Sequence, residues 1–176
     1  MKNEDAISLA AAVDRLVLEC RLRDLSLLAQ TDRSDRVGAM AAVIAKLHPG
    51  AYLLGCGPYC CGILPLTVDE VVLGRPPSPL EEVPSKVVDY TMNDAVWMIP
   101  REASRVHATI LRKKASETAI YFIRDENSRA GTFVNGRRVS AADPADSNST
   151  PPRLAAGDVI SLGPSGINSY VFVEVG

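Results

Sequence analysis

Between Ser104 and Gly136 the chain carries two apolar runs of strand length, Val106 to Leu111 and Ala119 to Ile123. The charged, turn-prone residues Arg112 to Glu117 separate them. Short runs rich in β-branched and aromatic residues, bounded by polar clusters, predict consecutive strands of an antiparallel sheet. Asn135-Gly136 closes the stretch and is a strong hairpin signal, because both residues tolerate the positive φ of a type I′ turn. One loop, Ser104 to His107, precedes the strand pair, and another, Asp125 to Gly131, follows it. In an antiparallel meander those two loops emerge at the same end of the sheet. That constraint excludes most other arrangements of this segment and places two polar loops side by side.

The flanks continue the β pattern. Ala51 to Leu54, Val68 to Leu73, the alternating Val88-Tyr90-Met92, Val159 to Leu162 and Tyr170 to Val175 each read as a strand. Pro76-Pro77-Ser78-Pro79 reads as a loop, since proline cannot donate to a central ladder. Residues 141–152 form a second polar, proline-punctuated loop. Residues 5–47 differ in texture. Ile7 to Gln30 contains no Gly or Pro and is rich in Leu and Ala, and Val37, Met40, Ala41, Ile44 and Leu47 recur at helical spacing before His48-Pro49-Gly50. The expectation is an N-terminal helical hairpin over 1–49 and a β-sandwich domain over 50–176. On the first helix Leu9, Val13, Leu16, Val17, Cys20 and Leu27 share one face, while Ile7, Leu18, Leu22 and Leu25 form a second strip. That second strip either docks on the β-domain or meets another chain, a second copy or a helical partner, through residues 7–28.

Four marks in order, Gly74-Arg75, Ser104-Arg105-Val106-His107, Ser128-Arg129-Ala130-Gly131-Thr132-Phe133-Val134-Asn135-Gly136 and Gly157-Asp158-Val159-Ile160, resemble the forkhead-associated (FHA) domain. The resemblance spans roughly residues 50 to 176 and implies an FHA-type antiparallel β-sandwich that binds phosphothreonine peptides. It implies Arg75 as the main phosphate ligand, Ser104 as a second, Arg105 on the phosphate or the adjoining peptide backbone, and Ser128, Arg129 and Ala130 in the peptide-binding set. It assigns Gly74, His107, Gly131, Thr132, Asn135 and Gly136 to support of the binding loops. The chemistry is consistent with that assignment. A phosphate carries close to two negative charges, and a guanidinium fork with a hydroxyl donor holds it best. One position departs from the pattern. Ala130 stands where the family usually places Asn, whose amide grips the ligand backbone.

Other functions find less support. The chain has 176 residues and a formal charge of −2, so any electrostatic recognition must be local. Arg112-Lys113-Lys114 is too short a cluster to make a nucleic-acid surface. The four cysteines, Cys20, Cys56, Cys60 and Cys61, lack the C-x-x-C spacing of a zinc site, so neither metal nor cofactor is expected. His107 has Ser104 and Asp125 nearby, but there is no nucleophile elbow, and catalysis is not expected. No run approaches the roughly 18 apolar residues of a membrane span, and the acidic start is no signal peptide. An intracellular protein, nuclear or cytoplasmic, is expected. Two function classes stand: a phosphothreonine-dependent interaction module, or a phosphate-independent structural adaptor whose sandwich and helices mediate assembly.

Overall fold

The structure, a computed structural model, describes residues 32–56, 62–77, 80–82, 84–91, 102–115, 118–140 and 150–176. Among the described residues two short helices, α1 (Arg33–Ala39) and α2 (Ala41–Ile44), precede ten strands. The strands are β1 (Gly50–Gly55), β2 (Ile63–Pro65), β3 (Glu70–Gly74), β4 (Tyr90–Thr91) and β5 (Ala108–Ala115), then β6 (Thr118–Asp125), β7 (Thr132–Val134), β8 (Arg137–Arg138), β9 (Val159–Leu162) and β10 (Ser169–Val175). They form a six-stranded sheet in the order β2-β1-β10-β9-β7-β8 and a four-stranded sheet in the order β4-β3-β5-β6.

Alternation along the central strands builds the core. Leu53 of β1, Ile160 and Leu162 of β9 and Phe172 of β10 meet Leu73, Ile110 and Ile123 of the other sheet, all with essentially no exposure. The rings of Tyr121 and Phe172 cross the interface with centroids 5.3 Å apart. The opposite face of β1 and β10 is also apolar, which explains why β10 reads as a continuous run from Tyr170 to Val173. Leu54, Val171 and Val173 on that face pack with Met40 and Val43 of the helical segment. Burying Met40 and Val43 contributes roughly 1.5–3 kcal/mol each. The six-stranded sheet is therefore covered on its outer side by α2.

The helix expected through Val37, Met40, Ala41, Ile44 and Leu47 is present as two short helices, the first starting at Arg33 and the second ending at Ile44. The chain tightens at Met40, whose N–H bonds the Val37 carbonyl at 3.1 Å, and again after Ile44, where Leu47 N–H bonds the Ile44 carbonyl at 3.0 Å. These i→i+3 bonds end each helix early. The first helix of the expected hairpin, its two apolar strips and Cys20, Cys60 and Cys61 lie outside the described residues, as do residues 141–149 of the second polar loop.

Two expectations about the sheet change. The antiparallel pattern is broken by one pair, because β4 runs parallel to β3, with Leu73 opposite Tyr90 and Gly74 opposite Thr91. Residues 75–89 supply the dozen or more residues that a parallel return needs. Asp89 fixes the register: its carboxylate accepts the Val72 N–H at 2.7 Å, and its own N–H bonds the Val72 carbonyl at 3.0 Å. The strand predicted through Val88, Tyr90 and Met92 contracts to Tyr90–Thr91 in the described residues. Conversely, β5 and β6 run on through the charged residues 112–114. Arg112 reaches across to Asp69 at 2.9 Å, and Lys113 lies over the Phe122 ring at 5.2 Å. The charged side chains occupy the solvated edge of the ladder and do not interrupt it.

Candidate functional site

The β5–β6 register pairs Ala108 with Asp125, so the loop before β5 and the loop after β6 do emerge together. The end of β3 joins them, since Leu73 lies opposite Ala108. The backbone knits the three pieces: Arg75 N–H bonds the Ser104 carbonyl at 3.0 Å, and His107 N–H bonds the Leu73 carbonyl at 2.9 Å. Gly74 is required by this approach, because a Cβ there would overlap the carbonyl oxygen of Arg105.

His107 is fully buried and bridges the loops. Ser104 N–H donates to its Nδ1 at 3.0 Å, which leaves the ring proton on Nε2, 3.1 Å from the Gly131 carbonyl. A neutral imidazole thus ties the first loop to the second. The second loop is organised by Asp125, also buried. Its Oδ1 accepts the hydroxyls of Ser128 and Thr132, each at 2.6 Å, and its Oδ2 accepts Ser128 N–H at 3.0 Å. Ser128 Oγ in turn accepts Gly131 N–H at 3.0 Å. Ser128 is therefore turned inward, as a brace of the loop.

Against this frame stand Arg75, Ser104, Arg105, Arg129 and Ala130. Ser104 Oγ accepts Arg129 N–H at 3.0 Å, so the two loops are stitched on the outer side as well. The Ser104 hydroxyl proton is not used in that bond. Arg129 is exposed and Ala130 half-buried. Arg75 directs both terminal nitrogens to the carboxylate of Glu81, at 2.7 Å each, and Arg105 Nη1 donates to the Glu82 carbonyl at 2.6 Å. Asn135 and Gly136 have φ of 50° and 74°, as the hairpin signal predicts, but their turn lies at the other end of β7 from Gly131. There Asn135 clamps β9, donating to Asp158 at 2.7 Å and accepting Val159 N–H at 3.1 Å. Asp158 also pairs with Arg33, which ties α1 to the sandwich.

Sequence reasoning passed over Asp125 as a brace, Glu81 as a partner of Arg75, and a third carboxylate, Glu126. An Asp whose carboxylate caps the N–H three residues on is a local signal that could have marked Asp125. Glu126 follows Asp125 and receives Thr109 Oγ1, Arg124 Nη2 at 2.8 Å and Lys86 Nζ at 2.9 Å. Burial alone would raise its pKa, but the hydrogen bonds from Thr109, Arg124 and Lys86 outweigh that and hold it at about 2, down from 4.5. A depressed carboxylate stabilises the fold fully above its unfolded pKa and loses that contribution as pH falls through the folded value. Stability is thus expected to drop between about pH 4.5 and pH 2 by about 1 kcal/mol, the partly open carboxylate being screened by solvent. Urea denaturation across that window should show the drop in the wild type and lose that part of it in Glu126→Gln.

The model of the FHA domain family matches residues 71–163. The chain belongs to the FHA family. The match runs from β3 to the end of β9, while β1, β2 and β10 complete the six-stranded FHA sheet outside it. Among solved structures, the yeast Pml1 splicing factor, described with its integration into the RES complex, is 19% identical with a TM-score of 0.51, covering 71% of this chain and 78% of that one. The MEK1 FHA domain in complex with a phosphothreonine peptide of HOP1 is 18% identical with a TM-score of 0.48, covering 72% and 98%. The FhaA FHA domain, complexed with the intracellular domain of another protein, is 20% identical with a TM-score of 0.45, covering 70% and 99%. At such identities the likeness speaks for the fold alone. A search of the curated proteins returned no match.

A cleft of about 800 Å³ opens elsewhere on this FHA domain, lined by Arg33, Arg124, Arg137, Arg138 and Arg153 among others, and none of the loop residues Arg75, Ser104, Arg105 or Arg129 faces it. Among the described residues there is no group of three or more His, Cys, Asp or Glu that could hold a metal, and Cys56 is buried and outside any disulfide. No helix among the described residues is long and apolar enough to cross a membrane.

Proposed function

We propose that this FHA domain binds phosphothreonine-containing segments of partner proteins across the end of the sandwich where Arg75, Ser104, Arg105 and Arg129 meet. The observation that carries the reading is the Arg75 fork: both terminal nitrogens engage one oxyanion at 2.7 Å, and the backbone beneath is fixed by the Ser104 carbonyl. A guanidinium so presented can take a phosphate in the same two-point manner. The Ser104 hydroxyl proton supplies a further donor beside it. Arg105 and Arg129 add positive charge along the peptide path, while Gly74, His107, Ser128, Gly131 and Thr132 hold the loops.

Titration of a fluorescent phosphothreonine peptide library against the same peptides without phosphate tests the reading. Binding that requires the phosphate supports it; equal binding by both sets rejects it. Ala130 favours a second reading, the phosphate-independent adaptor, because alanine cannot grip a ligand backbone. Ala130→Asn separates the two. Restoring an amide donor and acceptor there should tighten phosphopeptide binding a few-fold to about tenfold, the equivalent of one net hydrogen bond. Calorimetry should show the gain vanishing when Arg75 is also removed. A flat response, with a partner still bound without phosphate, would favour the adaptor.

A further inference from the structure

We propose that Glu81 is a built-in competitor for the phosphate position, and that it restricts the site to phosphorylated ligands by excluding those that offer only a carboxylate. The inference rests on reading Arg75 as the phosphate ligand. Arg75 Nη1 donates to Glu81 Oε2 and Nη2 to Oε1, each at 2.7 Å, which is the two-point grip a guanidinium gives to any oxyanion. The next residue engages the second arginine, through the bond from Arg105 Nη1 to the Glu82 carbonyl. One short segment therefore covers both arginines that the peptide would need.

The contact is placed so that it can be exchanged. The Arg75 side chain is 11% exposed and that of Glu81 31%, so the pair is shielded yet reachable from solvent. Leu80 beside it is 99% exposed, so apolar burial at that residue does not hold the segment down. When Glu81 leaves, its carboxylate regains water and no hydrophobic surface has to be opened at Leu80.

Tethering decides which ligands can take its place. Glu81 lies six residues from Arg75, and a group on so short a tether acts at an effective concentration on the order of millimolar. An Asp or Glu of another protein brings the same charge and the same two oxygens, so exchange gains it nothing and it must also be immobilised. A phosphate brings close to two charges and three acceptor oxygens. It can occupy the Arg75 fork and take the Ser104 hydroxyl as well, a combination one carboxylate does not match. Glu81 would thus lower the affinity for every anion, but only the phosphate has the surplus to overcome it.

The test titrates a fluorescein-labelled phosphothreonine peptide pool, and the same pool with glutamate replacing phosphothreonine, into the full chain, Glu81→Gln and Glu81→Ala. Gln keeps the shape and removes the charge, and melting curves establish that each variant is folded. If Glu81 occupies the fork about nine-tenths of the time, both variants should bind the phosphopeptides up to about tenfold more tightly. The glutamate pool, weaker from the start, should bind the variants measurably and the wild type up to about tenfold more weakly. Equal phosphopeptide affinity in all three proteins overturns the competitor and leaves the phosphate site standing. Tightening without any capture of the glutamate pool by either variant overturns the proposed selectivity. Failure of every protein, the unobstructed variants included, to bind phosphopeptide overturns the phosphate site and the competitor together.

Discussion

Arg75→Ala is expected to reduce phosphothreonine-peptide binding by a factor between about thirty and several thousand, the range for truncating one partner of a hydrogen-bonded charge pair at about 2–5 kcal/mol. The loss has two sources. The fork that would take two phosphate oxygens disappears, and the negative charge of Glu81 near the phosphate position is no longer offset by Arg75. Arg75→Lys separates charge from geometry. A lysine keeps the positive charge but presents a single ammonium in place of a planar fork, so it should recover only part of the affinity. The fold should survive both changes, because the Arg75 backbone stays bonded to the Ser104 carbonyl and Glu81 can turn to solvent. Titration and thermal melts of the same samples read both outcomes. Undiminished affinity in Arg75→Ala would place the phosphate somewhere else.

The parts of this site that were legible in the sequence are those set by local chemistry. Gly74 next to Arg75 and Ser104 three residues before the buried His107 follow from local demands that few residue types satisfy, as does the Asn135-Gly136 turn at the far end of β7. The convergence of two loops at one sheet end followed from strand alternation alone, and Ala108 opposite Asp125 bears it out. What stayed hidden depends on the path of residues 75–89. Their length permits a parallel return, but nothing local announces that β4 will sit beside β3. The grip of Arg75 on Glu81 and the bond from Lys86 to Glu126 exist only once that path is taken. The ends of β5 and β6 were hidden for a different reason. Residues 112–114 look like a turn because they are charged, yet one face of an edge ladder is open to water and accepts charge readily.

The same reasoning places the largest stability effect at Asp125, a residue that need not touch any ligand. Asp125→Ala should destabilise the domain by about 2–4 kcal/mol, because several buried donors lose the one acceptor they share. Those donors are the hydroxyls of Ser128 and Thr132 and the N–H of Ser128, all converging on one carboxylate with 2% of its residue exposed. Asp125→Asn should cost less, since one oxygen remains for the two hydroxyls, but its amide would face the Ser128 N–H donor to donor. The damage should also travel. Ser128 positions Gly131 through the bond to its N–H, and the Gly131 carbonyl anchors His107, which in turn orients Ser104. Loosening Asp125 therefore loosens the Ser104 hydroxyl and the loop carrying Arg129, and phosphopeptide affinity should fall along with stability. Arg75→Ala is the converse, with affinity lost and stability kept. Urea denaturation and peptide titration of the two variants side by side should give this crossed pattern. An Asp125→Ala protein as stable as the wild type would mean that the hydroxyl network does not hold the loop.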